Sequence, residues 1–329
     1  MAIIIPVKLL HMPSIPLNKV LRHFSVLELF EFSQCSQKAA AAIKLIGTKN
    51  FKLELNFNLS YVRINDDFKF EVKKLRADEV ENVTGFRTFE KNQNMIYMDS
   101  RNKITCLWED RFARLRTIFS HLSKLFGCPT YSVRSDASVP THAFLLVMHE
   151  IISRQSEINV LEIACKSLQE NNVKWILEKL TVTDELMLGE KLSEDFGKNN
   201  SIHFVAKSLF IFNAKWVTPQ KLLSMRNCVA IELDGSLLTD QDIINFFENW
   251  KSGQYPNLEF LSIKSEQLTR DLVLPGALRM ERDFGWCQPK IICGKQRYIH
   301  CDFQIFAHNG TIGSVQLDKL ARDVQFMVS

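Results

Sequence analysis

The chain has 329 residues, 46% hydrophobic and 24% charged, enough for about two domains with a sizeable core. A net charge of +4, from 41 basic and 37 acidic side chains, does not call for nucleic acid as a partner. Eight cysteines without a CxxC pair favour a reducing compartment, and no apolar run approaches the roughly 20 residues that span a bilayer; a soluble protein of the cytoplasm or nucleus is expected.

The N-terminal region reads as three short helices. Pro16 suits a first helical turn, and the helix it opens would bury Leu17, Val20 and Leu21. Ser25 can cap a second helix, on which Leu27, Leu29, Phe30 and Phe32 point in several directions within two turns. A third, alanine-rich helix runs from about Ser36 to a stop at Gly47. Helices this short cannot bury so much apolar surface among themselves. Either the rest of the chain or a second polypeptide must cover the remainder.

The stretch Leu9 to Gly47 resembles an F-box. The residues that carry the likeness are Leu10 with Pro13, the helix of Leu17, Val20 and Leu21, the group Leu27, Leu29 and Phe30, and the Ser33–Cys35–Ser36 junction before a helix with Lys38. Where the family usually has Asp-Pro, this chain has Ser25-Val26. The resemblance implies docking on a Skp-type adaptor, which joins a cullin and a RING subunit into a ubiquitin ligase. Leu10, Pro13, Leu17, Val20, Leu21, Leu29 and Phe30 are the adaptor-docking candidates, although some of them must instead pack inside the module.

Residues 53–109 read as a β-rich connector: FKLELNF alternates as a strand does, and Gly, Pro and Ser are sparse. A helix then follows Asp110 and ends at Gly127 and Pro129. Leu115, Ile118, Phe119, Leu122 and Leu125 form its apolar stripe, with Arg111, Arg114, Arg116 and Lys124 on a solvated face.

Beyond this helix an L-x-x-L-x-L pattern recurs, with central residues Tyr131, Leu161, Leu180, Leu209, Ile231 and Leu261, separated by 30, 19, 29, 22 and 30 positions. Helical sequence lies between, notably THAFLLVMHEIISRQ and TDQDIINFFENWKSG, where Thr239 can cap with Asp242 in the capping-box position. Ile243, Phe246, Phe247 and Trp250 then form one buried face. The pattern predicts a leucine-rich-repeat-like αβ solenoid over 110–329. Ser132, Glu162, Thr181, Phe210, Glu232 and Ser262 would face its concave side and hold a protein target. Asn309-Gly310 predicts a type I′ hairpin turn, with the hairpin laid against the final repeat.

The segment Cys228 to Ser265 resembles the F-box associated domain, type 2, through Leu238, Thr239 and Asp242, Trp250 with Gly253, and Pro256, Leu258, Glu259 and Leu261. The expected fold is therefore mixed α+β and α/β: an F-box over 7–52, the β-rich connector, and the repeat domain. The implied role is the target receptor of a Skp–cullin–F-box ligase. A binding module working outside any ligase is the alternative.

No P-loop, G-x-G-x-x-G or G-x-S-x-G occurs, and Ser153 stands where His149-Glu150 would need its second zinc-binding histidine. Cys287, Cys293, His300 and Cys301 match no standard zinc spacing. No catalytic residue, metal or cofactor is expected.

Overall fold

In a computed structural model, residues 9–47, 51–65, 68–74, 85–89, 92–99, 103–108, 110–165, 167–196, 202–280 and 289–328 are described. The chain forms two compact units, Met1–Ser135 with His142–Gln155, and Asp136–Thr141 with Ser156–Ser329.

In the first unit, a 3-10 turn at Leu9–His11 leads into helix α1 (Ser14–Leu21), followed by α2 (Val26–Cys35) and α3 (Gln37–Ile43). Ser25 starts α2 with a reciprocal capping box: its Oγ accepts from the Glu28 N–H (3.3 Å), and its own N–H donates to the Glu28 carboxylate (2.6 Å). Ser25 thus supplies the cap that the family's aspartate would. Ser36 caps α3, and a 3-10 turn at Lys44–Ile46 ends on Gly47 in the left-handed region (φ 78°).

Six strands follow: β1 (Leu53–Asn56), β2 (Tyr61–Ile64), β3 (Phe68–Lys74), β4 (Gly85–Phe89), β5 (Asn92–Asp99) and β6 (Lys103–Trp108). Then come α4 (Arg111–Phe126), β7 (Thr130–Arg134) and α5 (Thr141–Ile152). The strand order is β7-β1-β2-β3-β6-β5-β4, parallel at β7/β1 and β3/β6 and antiparallel elsewhere. Where a β-rich connector was expected, the described strands between Leu53 and Trp108 form the body of a sheet. They share that sheet with β7, and α4 packs on β1, β2 and β3. Leu115, Ile118, Phe119, Leu122 and Leu125 are buried as the periodicity predicts. Arg114, expected on the solvated face, is buried as well (3% exposed).

The second unit contains β8 (Glu157–Ile163), α6 (Glu170–Lys179), β9 (Thr181–Leu188), β10 (Ser208–Ile211), α7 (Pro219–Ser224), β11 (Ala230–Ser236), α8 (Asp240–Lys251) and β12 (Phe260–Ser265). It continues with β13 (Leu278–Arg279), β14 (Lys290–Ile292), β15 (Lys295–Arg297), β16 (Phe303–Phe306), β17 (Ile312–Asp318) and β18 (Asp323–Val328). Strands β8 to β12 lie side by side in chain order, all parallel. Strands β18, β17, β16 and β13 extend the sheet beyond β12, antiparallel throughout.

The register corrects the expected repeat. Leu161, Leu186, Leu209, Ile231, Leu261 and Phe326 form one cross-sheet row, and all are buried. Leu186, not Leu180, occupies the β9 position, so the true separations are 25, 23, 22 and 30. Leu180 is the C-cap of α6. The expected match at Leu177–Leu180–Val182 straddles the end of α6 and the start of β9, and a bulge that places Val182 and Glu185 opposite Ile158 and Val160 then sets Leu186 beside Leu161. A second bulge, between Leu53 and Glu54, leaves Tyr131 as the extra residue of β7 and half-buried, where a core position was expected.

On α8 the Thr239–Asp242 capping box forms, and Ile243, Phe246, Phe247 and Trp250 are buried. Phe326 lies 5.5 Å from Phe247 and 4.9 Å from Trp250, ring centre to ring centre. The last parallel strand is covered by β18, and the β16–β17 hairpin joins β18. Its loop is not a two-residue turn: β16 and β17 close at Phe306 and Ile312, and of the intervening residues Gly310 has φ 87° while Asn309 is not left-handed. Instead, the two left-handed residues of a two-residue hairpin are Cys293 (φ 50°) and Gly294 (φ 75°), between β14 and β15.

Candidate functional site

The three N-terminal helices sort their apolar residues by phase. Leu17 and Leu21, one turn apart on α1, are buried, as are Leu29 and Phe30 on α2. Phe30 is 2% exposed, and its ring meets Phe70 edge-on at 4.9 Å, with Phe68 and the His121 ring at 6.4 and 6.2 Å. These four residues hold the helices together and seat them on β3 and α4. Leu10 and Val20 are half-buried and Pro13 is exposed. Beside them Ile15 is 73% exposed, Pro16 is exposed, and Met12 and Leu27 are half-buried. Phe24 and Phe32, also half-buried, pair edge-to-face at 6.1 Å. The outward apolar surface of α1 and α2 is thus centred on Ile15, Pro16 and Val20. Ile15 was missed because the apolar spacing i, i+4 selects Leu17 and Leu21, which define the inner face, and says nothing of a lone isoleucine opposite. Glu28, bonded by the Ser25 backbone N–H and hydroxyl, has its pKa held below the usual carboxylate value.

In the second unit, the face of the sheet opposite that row carries Glu162, Met187, Phe210, Glu232, Ser262 and Gln325, all in register. Glu162, Phe210 and Ser262 stand where the sequence pattern expects them. Thr181 does not: it is exposed at the start of β9 opposite Glu157, and Met187 stands opposite Glu162 in its place. Ser132 is buried (4% exposed) in the first unit, paired with Glu54 across β7 and β1.

Glu232 is not open to a partner. The β14–β15 hairpin lies over this face, and Arg297 binds the Glu232 carboxylate through both Nη atoms while its guanidinium stacks on Phe260 at 4.7 Å. Lys295 Nζ donates to Glu185 at 2.8 Å. Ile292 and Ile299 close an apolar cluster with Ala230, Phe260 and Met327. What stays half-open is the ladder of Glu162, Met187, Phe210 and Ser262, in which Phe210 meets Phe212 edge-on at 4.2 Å. Ser262 Oγ donates to Asp323 at 3.3 Å, and burial pushes the Asp323 carboxyl above its usual pKa.

At the carboxyl ends of β10, β11 and β12 is a cavity of about 390 Å³, walled by Phe212, Asn213, Gly235, Lys264 and Arg322. Lys215 Nζ lies 2.9 Å from the Glu266 carboxylate at its rim. Among the described residues no three His, Cys, Asp or Glu side chains are placed to hold a metal ion. Cys287 lies outside the described residues; Cys293 is on the hairpin turn, and Cys301 is buried. Among the described residues no helix is long and apolar enough to cross a membrane.

Comparison with known families defines the class. Residues 9–49 match the F-box domain, and residues 199–263 match the F-box associated family. The chain thus carries an F-box followed by an F-box associated domain. The first match spans the three N-terminal helices; the second spans β10 to β12 with α7 and α8.

Longer likenesses are to proteins of Caenorhabditis elegans. The chain is 22% identical over 281 residues to the Skn-1 dependent zygotic transcript 15 protein of Caenorhabditis elegans, covering 80% of this chain and 81% of that one. It is 24% identical over 269 residues to the uncharacterized protein F59B2.9 of the same organism, covering 77% of this chain and 61% of that one. It is 22% identical over 274 residues to the uncharacterized protein F59B2.8, covering 78% of this chain and 60% of that one. The chain thus spans about three fifths of the length of these last two relatives. No solved structure matches.

Proposed function

We propose that the chain is a non-catalytic target receptor of a Skp–cullin–F-box ubiquitin ligase, working in the cytoplasm or nucleus. α1 and α2 dock on a Skp-type adaptor, and through it on the cullin and RING subunits. The second unit, with its leucine-rich-repeat-like run of parallel strands, holds a protein target. The carrying observation is the F-box match over 9–49, on helices whose inner apolar row is buried while Ile15, Pro16 and Val20 face outwards. Of the seven docking candidates, Leu10, Pro13 and Val20 make the adaptor contact together with Ile15; Leu17, Leu21, Leu29 and Phe30 support it from within. On the target side Glu162, Met187, Phe210 and Ser262 form the receptor row.

The mechanism is proximity. Tethering a target beside a ubiquitin-charged enzyme raises its effective concentration without any bond chemistry in this chain.

Co-expression with a Skp-type adaptor followed by size-exclusion chromatography tests the reading. The two chains should elute together in a 1:1 complex, and Ile15→Asp with Val20→Asp should separate them while leaving the circular dichroism unchanged. Failure of the unmodified chain to retain the adaptor would favour a ligase-independent binding module.

A further inference from the structure

A second cavity in the second unit, of about 510 Å³, has no part in adaptor docking. Its size falls within the range of ordinary ligand sites. Met280, Phe303 and Leu317, all half-buried, supply apolar walls. Arg279 and Lys319 are exposed on its rim, and neither makes an ion pair with another described residue. Its carboxylate, Asp302, is turned to structural use. One oxygen lies 3.1 Å from His300 Nδ1, and the other accepts from the Leu317 N–H at 2.9 Å. The cavity therefore presents cations over an apolar floor, with both oxygens of its own carboxylate engaged by neighbouring groups.

Two further features favour a peptide. Among the described strands β13, which carries Arg279, is the last of its sheet and pairs only with β16. Its outer edge can accept an added strand. Leu278 on β13 is 58% exposed, and Leu320 beside Lys319 is 83% exposed, so each cation has an apolar neighbour at the surface. Two rim cations and a net charge of +4 are too few for the phosphate contacts that hold a nucleic acid.

We propose that this cavity and the outer edge of β13 hold an extended segment of the target in which acidic side chains alternate with apolar ones, the acids meeting Arg279 and Lys319. The inference deepens the receptor reading of the second unit and rests on it.

Fluorescence anisotropy on the full chain tests it with a labelled, terminally blocked Leu-Asp-Leu-Asp-Leu-Asp peptide. The Asn-for-Asp and phosphoserine-for-Asp versions serve as further probes, with adaptor binding measured in parallel. The Asp peptide should bind, and the Asn peptide should bind about tenfold more weakly or not at all. Arg279→Ala with Lys319→Ala should weaken the Asp peptide about fivefold to tenfold and leave adaptor binding unchanged. The phosphoserine probe tests the source of the anion: equal or weaker binding than the Asp peptide supports a carboxylate segment, and binding about tenfold or more tighter would overturn it in favour of a phosphorylated one. Three further results would overturn the proposal while leaving adaptor docking intact: no binding of either acidic peptide, equal binding of the Asn peptide, or unchanged binding by the double variant. Displacement of the Asp peptide by an equal concentration of a single-stranded oligonucleotide would also overturn it.

Discussion

Phe30→Ala separates the two roles that the F-box candidates divide between them. The Phe30 ring is 2% exposed and packed against Phe70, Phe68 and the His121 ring. Truncating a buried phenylalanine removes its transfer free energy and leaves a cavity, together costing about 3–5 kcal/mol. At about 1.4 kcal/mol per tenfold change, amide exchange through opening of the first unit should accelerate by about two to three orders of magnitude. Ile15→Asp removes an isoleucine that is 73% exposed and should change stability by no more than about 0.5 kcal/mol. Exchange mass spectrometry on peptides from 14–43 and 61–74 reads both variants, with adaptor binding measured alongside. Phe30→Ala should lose protection first and adaptor binding with it; Ile15→Asp should lose adaptor binding with protection intact. If Phe30→Ala kept its protection within threefold, the packing of α2 on β3 described above would be wrong. Acidic substitutions at Leu29 and Phe30, the natural test from sequence alone, would bury two carboxylates and report unfolding instead of docking.

Three more outcomes follow from the second unit. Arg297→Ala leaves Glu232 half-buried without its guanidinium and should cost about 1–3 kcal/mol in urea denaturation; Glu232→Gln added to it should recover part of that loss, and no recovery would argue against the pair. Gly313→Ala places a Cβ against the edge of the Phe326 ring, too close to fit without movement, so the buried ring must shift between Phe247 and Trp250; a loss of about 1–3 kcal/mol and altered tryptophan emission are expected, and an unchanged spectrum would refute the close approach. Asp323 has its pKa raised by burial, so its contribution to stability is fully present below the unfolded aspartate value and is lost as pH rises through the folded one. Asp323→Asn should therefore flatten a fall in stability that sets in as pH rises above the unfolded aspartate value, and a parallel pH profile in the variant would contradict the burial.

Much of the local structure was legible in the sequence. Ser25, Ser36, Asp110, Thr218 and Thr239 all cap helices through their side chains. The caps of the second, third, fourth and eighth helices are readable directly from the hydroxyl or carboxylate before an apolar-periodic run. The α8 face of Ile243, Phe246, Phe247 and Trp250 and the α4 stripe emerged from a period of 3.6 alone. The succession of buried strands from Leu161 to Leu261, apart from β9, emerged from the recurring L-x-x-L-x-L pattern. The candidate site was only partly legible. The sequence marked the F-box and one row of the sheet, but it did not sort Leu17, Leu21, Leu29 and Phe30, which pack inwards, from the candidates that stay outside, and it placed Ser132, Thr181 and Glu232 on an open surface.

The difference has one physical cause. A cap or a helical stripe is settled among residues within a few positions of one another, so the sequence by itself determines it. Whether an apolar face is covered by the chain's own strands, and which residue lies opposite which across a sheet, depends on residues far apart. Phe30 meets Phe70 across 40 positions, and Arg297 meets Glu232 across 65. A single extra residue in β9 displaces the pairing of everything beyond it, because side chains alternate faces along a strand. Only the tertiary structure decided that Ile15 stays outside, that Leu186 and not Leu180 takes the β9 place in the buried row, and that a hairpin with Cys293 and Gly294 at its turn covers part of the face once expected to be open.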